Sequence, residues 1–314
     1  MDAILIITFP IFALIGLGYV CVRQRLFAPA DMGVLGKYVL NIALPALLFN
    51  AVASRDLTEV LNTGYLAVVT VGGLATIAVT YLWFTLQGAD SARRAVAAMG
   101  ASCPNSGFIG YPMMLLVFPD IAGVVLALNM VIENFILIPI CLLLMEASRP
   151  QQGKSLPRIM GRLILSVLRR PMVIGLLLGL AVMLAGVQMP AMVTRLMDLL
   201  AASASALALF VIGGALVGLP IIGQRAMAAQ IVAGKLLLHP ALTALALGAL
   251  PLIGLPVLSG DMAVAAILST AIPMFGIYTL MAQGYGHEGL ASIALLGATT
   301  GAFFTLSLLL AILT

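Results

Sequence analysis

The chain has 314 residues, of which 63% are hydrophobic and only 8% are charged, and its formal net charge is +4 at pH 7. A soluble domain carries about a quarter charged residues, so this composition excludes a water-soluble globular protein. The apolar runs are long and continuous, whereas the strands of a membrane barrel alternate apolar and polar residues. We therefore predict an all-α integral membrane protein, because helices satisfy their own backbone hydrogen bonds in lipid.

Ten membrane-spanning helices are predicted, since each span needs about 20 apolar residues. They divide the chain into a first five-helix half at 1–146, a connector at 147–168 and a second five-helix half at 169–314. The connector contains prolines, a glycine and basic residues, which predict a short amphipathic helix on the membrane surface. In chain order, the spans are placed at 3–22, 33–53, 62–87, 95–118, 121–146, 170–187, 193–219, 226–250, 258–285 and 289–313.

The basic residues predict the orientation of the spans, because cytoplasmic loops carry an excess of Lys and Arg. Only Arg55 and Arg195 fall in loops on the opposite side, and Lys235 lies inside span 8. We expect both termini on the periplasmic face of a bacterial inner membrane, and a retained first span because its basic residues follow it. The cytoplasmic set is Arg23, Arg25, Lys37, Arg93, Arg94, Arg149, Lys154, Arg158, Arg162, Arg169, Arg170 and Arg225.

An odd number of spans in each half inverts the second half relative to the first. The two halves align with one offset, because Pro104 in span 4 and Pro273 in span 9 are 169 residues apart. Inverted repeats of this kind are common in secondary transporters.

Both of these spans contain residues that interrupt a helix. Pro104 lies between Gly100 and Gly107, and Pro273 lies shortly before Gly276. Proline removes a backbone donor and clashes with the preceding turn, and glycine lowers helix propensity. Two ordinary proline kinks are the simpler alternative, but interruptions at matching places in both halves favour a binding site.

The chemistry of such a break favours an anion. A half-helix that begins there directs free N–H groups and the positive end of its dipole into the cavity, where a carboxylate can accept them. The exposed carbonyl groups leave Na⁺ open as an alternative ligand. We expect Asn105, Ser106 and Gly276 to contact the anion, and Asn129, Glu133 and Asn134 to line the wall. The predicted binding residues are Pro104, Asn105, Ser106, Gly107, Asn129, Asn134, Pro273, Met274, Phe275 and Gly276.

Three ionisable side chains lie far from the ends of predicted spans, namely Glu133, Lys235 and His239. Charges at mid-membrane are costly and usually functional, so these three are candidates for coupling or charge compensation. Glu133 is a candidate proton carrier, or alternatively a structural partner of Lys235. Lys235 could instead neutralise carbonyl groups at the end of a half-helix. His239, four residues further on, is interpreted as a packed helix residue rather than a metal ligand.

Other kinds of chemistry lack the necessary residues. Cys21, Cys103 and Cys141 show no metal-ligand spacing, and no nucleotide-binding motif is present. We therefore expect no catalytic residues, no metal site, no cofactor and no nucleic-acid partner, with coupling to H⁺ or Na⁺ left open. The pairs Gly72-Gly73 and Gly213-Gly214 predict close helix packing.

Several stretches resemble the auxin efflux carrier family, which includes plant auxin exporters and bacterial relatives described as malonate or dicarboxylate carriers. Span 4 carries the most specific stretch, and the matches together extend over nearly the whole chain. The matching stretches are residues 103–112 (CPNSGFIGYP), 41–49 (NIALPALLF) and 134–140 (NFILIPI), together with Lys235, Pro240, Pro273 and Gly276-Ile277.

The resemblance implies ten helices in two inverted repeats, with helices 4 and 9 crossing at their breaks as in sodium/proton antiporters and bile-acid symporters. It also implies a scaffold of helices 1, 2, 6 and 7, a moving domain of helices 3–5 and 8–10, and a homodimer through the scaffold. This chain lacks the large hydrophilic central loop of the plant exporters. It also has Glu133 where the family pattern is uncharged, which leaves proton coupling open.

We therefore expect a secondary carrier of a small organic anion that works by elevator-type alternating access in contact with membrane lipid. A sodium/proton antiporter or sodium-coupled symporter of the same fold is the main alternative, although Asn134 stands where such antiporters have a second acid. A membrane enzyme or a structural subunit is a weaker alternative, because the sequence contains no paired acids or nucleophile–base pair and a structural role would not need two matched interruptions.

Overall fold

The computed structural model describes residues 2–53, 55, 62–149, 161, 165–220, 224–249, 252, 254 and 257–313. Within these ranges the named elements are all helices, as predicted. We number them α1 (Asp2–Arg23), α2 (Pro29–Ala53), α3 (Thr63–Leu86), α4 (Ser91–Ser102), α5 (Ser106–Val117), α6 (Ala122–Ala147), α7 (Pro171–Ala185), α8 (Ala191–Ala215), α9 (Arg225–Ala249), α10 (Gly260–Ala271), α11 (Tyr278–Gln283) and α12 (Glu288–Leu313).

Seven helices in the described ranges are long and apolar enough to cross a membrane, and α5, α7 and α10 are shorter apolar helices. The all-helical membrane class is therefore confirmed, whereas the arrangement of ten spans as an inverted repeat stays a prediction. The predicted surface helix of the connector falls mostly on 150–160 and 162–164, outside the described residues.

The predicted span limits agree closely with the helices, and one of the larger shifts has a local cause. Helix α2 begins at Pro29, four residues before the predicted start of span 2. Proline at the first helical position has its φ angle preset for a helix. The Asp31 carboxylate accepts the backbone N–H of Ala28 at 2.8 Å, which fixes the entry into the helix. Residues 29–32 therefore belong to the helix and not to the preceding loop.

Four π-helical segments occur in the described part of the chain, and each precedes a proline by two residues. Proline lacks an N–H, and its ring clashes with the carbonyl four residues earlier. A wider π turn carries that carbonyl away from the ring, so the helix continues past the proline. The segments are Val39–Ala43 before Pro45, Ser106–Gly110 before Pro112, Glu133–Leu137 before Pro139 and Gly234–Leu238 before Pro240.

The chain forms two compact units. The first comprises Met1–Asn62, Ser106–Met130 and Ser166–Gly218, and so contains α1, α2, α5, α7 and α8. The second comprises Thr63–Asn105, Val131–Leu165 and Leu219–Thr314, and contains α3, α4 and α9 to α12. Helix α6 contributes its first part to one unit and its second part to the other.

In the first unit, glycines bring α1 and α8 into backbone contact. A Cβ atom at Gly18 would overlap the carbonyl oxygen of Phe210, and one at Gly213 would overlap the backbone of Ile15. A Cβ atom at Gly214 would overlap the side chain of Met32 in α2, so the predicted close packing at Gly213-Gly214 is confirmed. Small residues serve this purpose in membranes because they let helix backbones approach closely.

In the second unit, α3 packs closely against two neighbours through the predicted glycine pair. A Cβ atom at Gly72 would overlap Thr243 of α9. One at Gly73 would lie 2.7 Å from Cδ2 of Leu137 in α6. The pair therefore holds α3 against α9 on one side and against the second part of α6 on the other.

The turn between α11 and α12 is bound by residues from the end of α6. The Arg149 guanidinium donates to the carbonyl of Gly284 at 2.9 Å and stacks over the Tyr285 ring at 4.2 Å. The Tyr285 hydroxyl donates to the Glu146 carboxylate at 3.2 Å. This cluster joins two helix ends of the second unit outside the apolar segments.

A second polar contact joins the same turn to the start of α4. Asp90 caps α4 by accepting the backbone N–H of Arg93 at 2.9 Å, and its carboxylate lies 3.6 Å from His287. Burial alone would raise the pKa of Asp90, but the N–H and the guanidinium of Arg93 outweigh burial and hold that pKa below its usual value. Burial lowers the pKa of His287, so its imidazole is neutral near pH 7.

The glycine contact between α1 and α8 generates a matched pair of substitutions. Gly18→Ala should lower the stability of the folded protein by about 1–3 kcal/mol, because the new methyl group forces the two backbones apart. Gly16→Ala, two residues earlier in the same helix, meets nothing within 4 Å and should leave stability unchanged or slightly raised. Thermal unfolding in detergent measures both. Equal melting temperatures for the two variants would contradict the contact.

Candidate functional site

The predicted interruption after α4 is present. Helix α4 ends at Ser102, and Cys103 adopts an extended conformation with φ −100° and ψ 105°. A residue that precedes proline is disfavoured in the helical region, because the proline ring collides with its backbone and Cβ. Cys103 precedes Pro104, so the helix ends where this restriction begins. The chain becomes helical again at Ser106, as the π segment of α5.

The predicted interruption after α10 is present as well, and it has the same cause. Helix α10 ends at Ala271, and Ile272 is extended with φ −69° and ψ 146° directly before Pro273. The helix resumes only at Tyr278. This break covers residues 272–277, twice as long as the break at residues 103–105, and therefore leaves more backbone without helical hydrogen bonds.

The two breaks meet in the second unit. Pro104 and Met274 form an isolated antiparallel β-bridge, and the backbone N–H of Asn105 donates to the carbonyl of Pro273 at 2.9 Å. Neither proline can donate, so Asn105 supplies the N–H that the pair of extended strands needs. Four predicted binding residues are thus brought together in one contact.

The last turns of the two half-helices contain hydroxyl side chains that bond within their own helix. Ser102 donates to the carbonyl of Ala98 at 2.7 Å, and Thr270 donates to the carbonyl of Ile267 at 2.8 Å. Both carbonyl groups lie just before the last four of their helix, so these bonds satisfy the hydroxyl groups, and the final carbonyl groups at the buried ends still need partners from elsewhere.

A buried lysine donates a hydrogen bond to the last turn of α10. Lys235 is fully buried, and its Nζ atom donates to the carbonyl of Thr270 at 2.6 Å and lies 2.9 Å from Nδ1 of His239. Glu133, at the start of the π segment of α6 and also buried, interacts electrostatically with the Lys235 ammonium. The three ionisable residues singled out in the sequence are therefore all inside the protein, and two of them are in direct contact.

Sequence reasoning missed Thr270 as a functional residue, because its contribution is a backbone carbonyl. A usable signal was present, since Thr270 lies three residues before Pro273 and so falls in the last turn of a helix that proline ends. The sequence offered Lys235 as a possible partner of half-helix carbonyl groups, and it does bind one. Which carbonyl it reaches could not be read from the sequence, because Lys235 belongs to another helix.

The remaining predicted residues occupy different surroundings. Asn134 is buried next to Glu133 in the second unit. Phe275 is half-buried, and Gly276 is exposed, with open space where a Cβ atom would be. Ser106 and Gly107 begin α5 in the first unit and are buried. Asn129, also in the first unit and buried, completes the predicted set.

No group of three or more His, Cys, Asp or Glu residues able to hold a metal ion occurs among the described residues. The donors and acceptors at the breaks are instead amide, hydroxyl and backbone groups beside one ammonium and one carboxyl group. Such a set can bind a small anion or exchange a proton without a bound cofactor.

Comparison with known proteins identifies the family. A family model described as "Membrane transport protein" matches residues 3–310, almost the entire chain. The chain belongs to this family. The resemblance to auxin efflux carriers is thereby confirmed, and the protein is a multi-pass membrane transporter.

Relatives of this transporter include the "Putative malonate transporter" of Rhizobium meliloti (strain 1021), which is 28% identical over 88% of this chain and 85% of the relative. The "Uncharacterized transporter YfdV" of Escherichia coli (strain K12) is 29% identical over 65% of this chain and 66% of the relative. An "Uncharacterized transporter" of Methanothermobacter thermautotrophicus is 28% identical over 34% of this chain and 36% of the relative.

The transporter's break region generates a stability prediction. A Cβ atom at Gly100 would lie 2.6 Å from Oη and 2.7 Å from Cζ of Tyr278, which is fully buried at the start of α11. Gly100→Ala should therefore displace the ring and cost about 1–3 kcal/mol. Gly248→Ala in α9 meets nothing within 4 Å and serves as the control. Fluorescence-monitored thermal unfolding in detergent compares the two, and a variant at Gly100 as stable as the control would rule out this packing.

Proposed function

We propose that this transporter carries a small organic anion, a carboxylate such as malonate or an auxin-like acid, across a bacterial inner membrane. The observation that carries the proposal is the meeting of two interrupted helices at Pro104 and Met274 inside the second unit. Backbone that leaves a helix within the membrane is tolerated where it is buried in protein or lines a cavity. The relative described as a malonate transporter supports the choice of a carboxylate.

The proposed anion binds beside the shorter break through neutral groups. Asn105 offers a side-chain amide, and Ser106 and Gly107 follow it directly as the first residues of α5. The first N–H groups of a helix have no intrahelical partner, and together with the helix dipole they attract negative charge. At the longer break, Gly276 leaves open space for the cargo. We further propose that Asn129 and Asn134 contribute amide groups to the wall.

Transport proceeds in this proposal by elevator-type alternating access with two crossed helices, each made of two half-helices. The four helices assigned to the scaffold by family resemblance, α1, α2, α7 and α8, all belong to the first unit. Most of the proposed moving helices, α3, α4 and α9 to α12, belong to the second. The inverted five-helix repeats would account for the matched positions of the two breaks.

The proposal also covers the protein's setting. Both termini are periplasmic, the scaffold helices form the interface of a homodimer, and the protein catalyses no chemical reaction. The apolar residues exposed on the scaffold support contact with lipid or with a second copy, since Leu178 of α7 and Leu199 of α8 are both exposed. Cross-linking of single cysteines placed at these two positions in native membranes tests the interface.

Asn105→Ala tests the site. The backbone N–H that bonds to Pro273 remains in this variant, so the protein should fold and unfold like the wild type. Loss of the amide should reduce uptake of the best substrate at least about tenfold, as for a charge-assisted hydrogen bond of 1.5–3 kcal/mol. Uptake of a panel of labelled carboxylates into proteoliposomes identifies that substrate first. Uptake by Asn105→Ala with unchanged affinity would show that the anion binds elsewhere.

Glu133→Gln tests coupling. If Glu133 takes up and releases the coupled proton, uptake by the wild type depends on an imposed pH gradient, whereas a glutamine of the same shape cannot titrate. We expect the variant to bind substrate but to lose the dependence of uptake on the gradient. Uptake is measured with and without the gradient, in the presence and absence of Na⁺. Retention of the wild-type pH profile in the variant excludes the proton role, and a strict Na⁺ requirement favours the sodium-coupled alternative.

A further inference from the structure

The ends of the two half-helices differ in what binds them. The Ser102 hydroxyl donates to Ala98 within α4, and the Thr270 hydroxyl donates to Ile267 within α10. The carbonyl of Thr270 is one of the last four of α10, and it accepts a hydrogen bond from Lys235 of α9. Of α4 and α10, only α10 is therefore shown to have its last turn bound by a side chain from another helix.

An ammonium at this position is costly to maintain. Lys235 has no exposed surface, and the protein interior offers few groups that can replace its hydration. Two of the N–H groups of its ammonium have acceptors, the carbonyl of Thr270 at 2.6 Å and Nδ1 of His239 at 2.9 Å. A neutral donor such as a hydroxyl group could satisfy one carbonyl at lower cost. A lysine at this position therefore needs a reason beyond hydrogen-bond satisfaction.

The contact with Lys235 indicates that the imidazole of His239 is neutral. A protonated imidazole would place a second positive charge within 3 Å of the ammonium, in a medium that screens it poorly. The arrangement fits a neutral imidazole whose Nδ1 lone pair accepts from Lys235 and whose Nε2 carries the hydrogen. His239 thus holds the ammonium from the side of α9, one helical turn away, and directs it toward α10.

A short chain of bonds leads from this pair to the break. Thr270 is followed after three residues by Pro273, whose carbonyl accepts the N–H of Asn105. The negative end of the α10 dipole therefore has the Lys235 ammonium bound to it just before the chain enters the contact between the breaks. Without that side chain, the carbonyl of Thr270 would lose this partner in an apolar interior, and the end of α10 would no longer be held in place.

We propose that Lys235, held by His239, is a positioning residue that fixes the end of α10 and so sets the geometry of the Asn105–Pro273 contact, without touching the cargo. This inference rests on the proposed function for its effect on transport, but its effect on the break does not depend on any substrate. It also separates Lys235 from the alternative role of a direct ligand for the anion.

The test uses Lys235→Met, which keeps the length of the side chain and removes the charge and the donors. Lys235→Gln keeps a donor for the carbonyl without the charge, and it serves if the methionine variant does not fold. Leu237→Met is the matched control, since Leu237 belongs to the same π segment and is 59% exposed. All variants are purified as the full chain, and only the monodisperse folded fraction is assayed.

The first measurement is hydrogen exchange of backbone amides, which needs no substrate. We expect peptides covering residues 103–107 and 270–276 to exchange at least about tenfold faster in Lys235→Met, less so in Lys235→Gln, and at the wild-type rate in the control. Unchanged protection in both Lys235 variants would overturn the proposal. This result would stand whether or not the protein transports carboxylates.

The second measurement compares the KM of uptake for a monocarboxylate and for a dicarboxylate in proteoliposomes. A positioning role predicts that KM rises by the same factor, at least about fivefold, for both substrates, because the site is distorted for each. A purely structural role would lower the yield of folded protein and leave KM unchanged, and it would overturn the proposal. A much larger rise for the dicarboxylate would instead make Lys235 a direct ligand. Wild-type protein that transports neither substrate would refute the proposed function alone.

Discussion

The need of every backbone group within a membrane for a hydrogen-bond partner is the constraint on which this structure depends. Pro104 and Pro273 end two helices inside an apolar protein, and each leaves carbonyl groups that the helix cannot satisfy. The two breaks bind each other through the N–H of Asn105, which donates to the carbonyl of Pro273. Lys235 donates to another of these carbonyl groups, that of Thr270. The position of the candidate site therefore follows from where the backbone lacks hydrogen-bond partners.

The chain handles prolines in two ways, and the difference separates supporting helices from the site. Before Pro45, Pro112, Pro139 and Pro240 the helix widens into a π turn and continues. Before Pro104 and Pro273 the preceding residue is extended and the helix stops. A widened turn keeps the backbone hydrogen bonds within one helix. Where the helix ends, its last carbonyl groups need hydrogen-bond donors from another element. Two of the π segments carry a buried ionisable side chain, Glu133 in one and Lys235 in the other.

Local features could be predicted from the sequence, and partnerships between helices could not. The apolar runs gave helix limits that differ by only a residue or two for most helices, and the prolines at 104 and 273 gave both breaks, because these depend on a few neighbouring residues. The π segments were missed, although their prolines were visible. Lys235 was a candidate partner of half-helix carbonyl groups, but its choice of Thr270 could not be predicted, since the spacing that predicts a helical face does not say which helix packs beside it. The separate surroundings of Asn129 and Asn134 were hidden for the same reason.

The bare backbone at Gly276 has a practical consequence for what the protein can accommodate. The predicted binding residues include two glycines. A Cβ atom at Gly107 would lie close to the Leu44 side chain, whereas one at Gly276 would meet no other atom within 4 Å. If the cargo passes Gly276 as proposed, alanine, valine and leucine at this position would admit progressively shorter acids. The longest acid that each variant still transports would then measure the free space beside Gly276.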